Sequence, residues 1–164
     1  MKPPLRILAL TPTSKGVAFA LLERNLGLAD WGLLHVRVAD VGHALARVLA
    51  LAADHAADLV VVEDWSEPRS RRRDVARVFL VTLLSACDER ALGTARASRA
   101  EARLRFTGRS TSSKFTLAQA VATHFPELAH RLPPKRKAWM SEDPRFAIFE
   151  AVALASLAAA PDRS

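Results

Sequence analysis

Arg69, Arg71, Arg72 and Arg73 crowd the residues that follow Pro68, and Lys135-Arg136-Lys137 stands just before Trp139. Residues of these types bind polyanions. Arginines at the opening of a helix are electrostatically misplaced, because the helix N-terminus already carries partial positive charge. The run after Pro68 therefore reads as an anion-binding rim rather than a solvated helix start. Lys135, Arg136 and Lys137 beside Trp139 combine charge with a flat stacking surface, as single-strand binders do. The plainer expectation for Trp139 is a core anchor under its own loop. Lys114 follows Ser110-Thr111-Ser112-Ser113 in the first turn of a predicted helix, where N–H groups, hydroxyls and a lysine make either a phosphate site or an ordinary capped start. Asp143 before Pro144 reads as an N-cap with proline at the first helical position. His35, His43, His55, His124 and His130 lack ligand spacing, and the turn around Ser14 has no glycine-rich phosphate loop, which argues against a nucleotide kinase or ATPase.

The whole-chain balance narrows the classes further. At 164 residues, half apolar and a quarter charged, the chain has the composition of one globular domain over residues 1–164 rather than a disordered or collagen-like chain. The single cysteine, Cys87, excludes an internal disulfide and thiolate-cluster metal sites, fits a reducing compartment and reads as core packing. No apolar run approaches the ~20 residues of a bilayer span. Met1 to Leu5 is too polar and short to open a secretory signal, so the expected location is the cytoplasm. Residues 1–68 carry six bases and eight acids, whereas residues 69–164 carry eighteen and nine. The basic surplus lies in the second part, and a surplus of this kind is the footprint of a nucleic-acid binder, since each phosphate neutralised releases counterions. A merely solubilising surface is the alternative.

The elements that must position these residues follow from apolar spacing. Leu5–Leu10 and Gly16–Leu22 read as buried strands joined by a tight turn, and Gly32–Val38 as a third strand after a turn through Asn25-Leu26-Gly27. Short gaps imply an antiparallel meander. Asp40 opens a helix with Val41, Ala44, Leu45, Val48 and Leu51 on one face. Leu59-Val60-Val61-Val62 is apolar on both faces and predicts a central strand covered by helices. A helix over 71–90 should turn Val75, Val78, Phe79, Thr82 and Leu83 to the core. A short strand over Ala91–Ser98 and a short helix over Arg99–Phe106 follow. Another helix, capped by Thr111 or Ser112, runs to Phe125 and stops at Pro126. The last helix runs from about Pro144 to Ala159.

This order is that of an RNase H-like α/β fold: a mixed five-stranded sheet, three antiparallel strands first and then two parallel, flanked by helices. Ile7-Leu8-Ala9-Leu10-Thr11-Pro12-Thr13-Ser14-Lys15-Gly16 resembles the first strand and turn of RuvC-type Holliday-junction resolvases, in which an Asp-Pro-Gly tract follows an apolar strand. Val61-Val62-Glu63-Asp64 resembles the family's central strand, ending in a catalytic Glu. Phe149-Glu150-Ala151-Val152-Ala153-Leu154-Ala155 is similar to its final helix, where a catalytic Asp precedes an alanine-rich stretch. The tract from Pro133 through Trp139 to Asp143 is similar to that of bacterial RuvC-like proteins.

The resemblance implies a metal-dependent endonuclease acting on branched DNA, with Thr11, Glu63 and Glu150 at the catalytic positions. Mg²⁺ or Mn²⁺ would sit on Glu63 and Glu150, with Asp143 as a further metal candidate. Two cations about 4 Å apart would clamp an in-line attack on the phosphodiester. Arg69, Arg71, Arg72 and Arg73, with Lys114, Lys135, Arg136 and Lys137, would hold the nucleic acid. The departures are specific. Thr11 replaces the bridging Asp, Glu150 is one methylene longer than Asp, and Ala147 stands where a further acid precedes it by one turn. On this reading, Thr11→Asp restores a missing charge. Asp64 reaches the site only if its strand has already ended, and Asp143 stands two helical turns, about 10 Å, before Glu150. The alternatives are a catalytically inactive nucleic-acid-binding module and an interaction scaffold. A homodimer is a further expectation.

Overall fold

The computed structural model describes residues 5–25, 27–66 and 74–160. Strands β1 (Arg6–Thr13) and β2 (Gly16–Glu23) form a hairpin from the first two apolar runs. Thr13 closes its turn, donating Oγ1–H to the Gly16 carbonyl at 3.1 Å and accepting the Lys15 N–H at 3.0 Å. Gly16 is needed there, because a Cβ would fall 1.9 Å from the Leu34 carbonyl oxygen. Strand β3 spans Gly27–Leu34, earlier than the expected Gly32–Val38. Positive φ at Asn25 (67°) and Gly27 (98°) reverses the chain at once, so pairing with β2 starts at Gly27. As an edge strand, β3 carries polar and half-exposed residues that an apolar-run criterion skips. Val36 and Val38 are nevertheless buried, in the loop beyond it.

Helix α1 (Val41–Asp54) is capped by Asp40, and β4 (Leu59–Glu63) is an interior strand between β1 and β5, buried as its sequence predicts, while β1 takes the central place. Helix α2 (Asp74–Glu89), β5 (Gly93–Ala97), α3 (Arg99–Thr107) and α4 (Lys114–His124) follow. Ser113, rather than Thr111 or Ser112, caps α4 by accepting the Thr116 N–H. Pro126 starts a short 3₁₀ turn to Arg131, and α5 spans Phe146–Ala159. Sheet order is β3-β2-β1-β4-β5, with β1, β2 and β3 antiparallel and β4 and β5 parallel to β1. This is the mixed five-stranded sheet read from the sequence.

Two apolar layers sandwich the sheet. One, under α1 and α2, includes Leu8, Leu10, Val60, Val62, Phe79, Leu83 and Cys87; the other lies under α5 with α3 and α4 outside it. Helix α5 is apolar all round because it is covered on all sides. Helix α2 sits rotated from the expected face. Phe79, Leu80, Leu83, Ala86 and Cys87 point inward, while Val75, Val78 and Val81 are about half exposed and Thr82 only partly buried. Apolar residues nearly encircle this helix, so spacing alone does not choose its inner face. Among the described residues no helix is long and apolar enough to cross a membrane.

Candidate functional site

The strand pleat decides which side chains reach one end of the sheet. Successive strand residues point to opposite faces, so Ile7, Ala9 and Val61 lie under α5 while Leu8, Leu10, Val60 and Val62 lie under α1 and α2. Thr11 and Glu63 continue the first series. Parallel pairing of Ile7 with Leu59 and Ala9 with Val61 carries them to the same level, at the C-terminal ends of adjacent strands. Glu150 comes down from α5 on that same face. Among the described residues, Thr11 (1% exposed), Glu63 (1%) and Glu150 (6%) are the buried polar or charged residues. Three such residues at one edge of an otherwise apolar layer mark a built site.

Arg99 completes it. Glu63 pairs with Ala97 across β4 and β5, and Ser98 then caps α3, so Arg99 emerges two residues beyond the level of Glu63. Its Nη2 donates to Glu150 Oε1 at 2.7 Å, and its Nη1 lies 3.6 Å from Glu63 Oε2. Arg103, one helical turn on, donates Nη2 to the same Glu150 oxygen at 3.1 Å and Nε to the Ser112 carbonyl at 3.0 Å. Burial opposes the charge on Arg99, but the Glu150 carboxylate, and then Glu63, more than offset it and hold the guanidinium above its ordinary range. Among the described residues, two carboxylates and two guanidiniums thus meet at this end of the sheet. Thr11 Oγ1 is buried without a hydrogen-bond partner among the described residues.

These residues do not fit a pair of divalent cations. A hard cation needs carboxylate oxygens and water, and here a guanidinium already spans the two carboxylates. Thr11 offers a neutral hydroxyl and Ala147 offers nothing. Asp143 is not gathered with Glu63 and Glu150. Its carboxylate is gripped by Arg145 (2.7 Å from Nη2, 3.1 Å from Nε), and no three His, Cys, Asp or Glu side chains group as metal ligands among the described residues. The arginine holds that carboxyl below the usual range, against the opposing effect of burial. Nor does Asp143 cap α5 directly; it accepts the Arg145 N–H at 2.9 Å in a turn, and the helix starts at Phe146. Asp64 follows the end of β4 and accepts both the N–H and the hydroxyl of Ser66, whose hydroxyl most of all keeps its carboxyl low.

The remaining expected binders sit around this group or away from it. Lys114 opens α4 and is ion-paired with Glu142 rather than free for phosphate. Lys135, Arg136 and Lys137 are exposed. Trp139 is no core anchor: it is 78% exposed, with Lys137 Nζ 5.2 Å from its ring centre. Arg69, Arg71, Arg72 and Arg73 lie outside the described residues. Sequence reasoning missed Arg99 and Arg103. The signal was there, since Arg99 at the first position of a helix opposes the helix dipole and therefore calls for a carboxylate partner.

No protein-family model matches the sequence, and no curated protein matches it by sequence. Solved structures do match by shape. Thermus thermophilus RuvC aligns at a TM-score of 0.64 with 15% identity, covering 92% of this chain and 91% of that one. The T. thermophilus RuvC in complex with a Holliday-junction substrate aligns at 0.64 and 15%, covering 94% of each. The fold is RuvC-like, within the RNase H-like class.

Proposed function

We propose that this chain is a nucleic-acid-binding module on a RuvC-like scaffold, with DNA as its partner, in which the catalytic end has become a structural ion group. The observation that carries the reading is Arg99, whose one guanidinium reaches both Glu63 and Glu150. In this role Glu63 and Glu150 act as struts that fix the start of α3 against β4 and α5. Arg103 extends the tie to the segment before α4 through Ser112. The binding half of the proposal is supported by the surplus of nine bases over acids in residues 69–164, by the exposed Lys135-Arg136-Lys137 segment, and by a structural neighbour captured with junction DNA.

The metal-dependent endonuclease is less well supported. The convergence of Thr11, Glu63 and Glu150 at the strand ends favours it, but it requires the guanidiniums to leave carboxylates with which they are already ion-paired. Removing a partner from a buried ion pair costs about 3–5 kcal/mol. The test is fluorescence anisotropy with labelled junction, duplex and single-stranded DNA at several salt concentrations, run beside a Mn²⁺ cleavage screen. The expected result is binding that weakens steeply with salt and no cleavage that depends on Glu63. Cleavage abolished by Glu63→Gln would establish the nuclease reading instead, and absence of binding at low salt would leave the scaffold.

A further inference from the structure

The segment between the 3₁₀ turn and α5 carries the largest exposed aromatic side chain of the described residues. Tryptophan usually buries most of its area, and the other two here do so more fully: Trp31 packs against the layer under α5, and Trp65 lies beneath Arg96 at 4.1 Å. Trp139 keeps 78% of its surface open. Its loop is nonetheless shaped. Arg136 Nη1 donates to the Met140 carbonyl at 3.1 Å, spanning the tryptophan, and Lys137 places its ammonium over one ring face. A few residues on, Glu142 pairs with Lys114 at the start of α4, and Arg103 of the ion group donates to the Ser112 carbonyl just before that same helix. The loop therefore borders the end of the sheet where the ion group lies.

We infer that Trp139 is a stacking platform for an unpaired base, with Lys135 and Lys137 taking the adjoining phosphates. The inference rests on the nucleic-acid reading above and specifies its substrate as nucleic acid with unpaired bases. A cation over one indole face leaves the other for a base, and base–aromatic stacking tolerates any sequence because every base has a π-face. A duplex keeps its bases stacked on each other and offers no such face. Trp139 should therefore add affinity for single strands and for unpaired positions, not for intact duplex.

The experiment compares the full chain with Trp139→Ala, Trp139→Phe and Lys135→Gln/Lys137→Gln, using labelled single-stranded and duplex oligonucleotides and, separately, vesicles rich in phosphatidylserine. All substitutions are at the surface, so melting temperatures should stay at the wild-type value. Trp139→Ala should weaken single-strand binding roughly five- to hundredfold, with duplex binding unchanged. Trp139→Phe should recover most of that loss. The double lysine variant should lower the salt slope by up to about 1.4 on single strands. Wild-type binding to single strands that Trp139→Ala leaves unaltered overturns the inference while the nucleic-acid reading stands. No wild-type binding to any oligonucleotide overturns that reading as well. A Trp139-dependent response to vesicles with no wild-type binding to any oligonucleotide assigns the surface to lipid and overturns both.

Discussion

Replacing Arg99 by Met removes the guanidinium while keeping much of the side-chain bulk, and so isolates its charge. Glu63 then loses the cation 3.6 Å from its Oε2, whereas Glu150 keeps Arg103 at 3.1 Å. Because Arg103 remains, the loss should fall near the lower end of the range for breaking a buried ion pair, about 3 kcal/mol. For a chain of this size each kcal/mol shifts the melting temperature by about 2–4 °C, so a fall of roughly 6–12 °C is expected by calorimetry. Arg99→Lys should lose less, since one ammonium keeps the charge but cannot reach both carboxylates as a planar fork does. Adding Glu63→Gln to Arg99→Met should recover part of the loss, because one of the charges that Arg99 paired is then removed as well. The same melts in millimolar Mn²⁺ test what the guanidinium replaces. Wild type should not respond, whereas Arg99→Met should gain stability if the vacated carboxylates accept the cation, by about 2.7 kcal/mol when the metal is at a hundred times its Kd. A wild-type melt raised by Mn²⁺ as much as the variant's, or an Arg99→Met melt equal to wild type, would refute the reasoning.

Thr11→Asp in the otherwise unchanged chain should destabilise, because Thr11 is 1% exposed and a third carboxylate would add charge to a group already paired; a melt equal to wild type would show that the end of the sheet is open to solvent. Replacing Arg71, Arg72 and Arg73 by Ala should lower the salt slope of DNA binding by about 0.9 for each phosphate these arginines neutralise, and an unchanged slope would make them a solvated surface. Asp143 contributes through a carboxyl whose folded pKa is lowered, first by Arg145, so its stabilisation is present above the ordinary value of 3.8 and fades as pH falls below it. Melts of wild type and Asp143→Asn should accordingly differ at neutral pH and converge in acid. Burial pushes the Cys87 thiol up, so a disulfide reagent should modify it only at the rate of unfolding, and immediate reaction at pH 8 would contradict its packed position.

How much was legible in the sequence depended on whether the signal was local. The Leu59–Val62 run reads as a strand buried on both faces, and it is one, interior between β1 and β5. In the sequence only the resemblance brings Thr11 and Glu63 together, whereas in the structure the pairing of β4 with β1 puts them on one face. Glu150 is singled out in the sequence only by the likeness of Phe149–Ala155 to the resolvases' final helix. Trp139 misled because an aromatic residue among prolines and cations fits a core anchor and an exposed platform equally well, and only the course of the loop decides. The α2 face misled because apolar residues surround that helix. Arg99 and Arg103 were passed over because their partners lie 51 and 47 residues away, at a level set by the pairing of Glu63 with Ala97, which no local pattern encodes.

The departures at the site become intelligible together once those two arginines are in place. A buried carboxylate persists only where a cation or hydrogen-bond donors compensate it, and an unbalanced one favours its neutral form or unfolds the region. On the proposed reading, Arg99 and Arg103 compensate Glu63 and Glu150, and a third acid would add charge to a group already paired. A neutral Thr11 and an Ala147 fit that pairing. On this view they are not failures of a metal site. The longer Glu150 fits the same logic, since its extra methylene carries Oε1 from α5 toward a guanidinium that enters from the neighbouring helix. Arginine suits the task better than a divalent cation wherever no reaction is to be run: it is covalently tethered, always charged, and matches carboxylates with a fixed planar fork. Among the described residues, Glu63 has Arg99, and Glu150 has both Arg99 and Arg103.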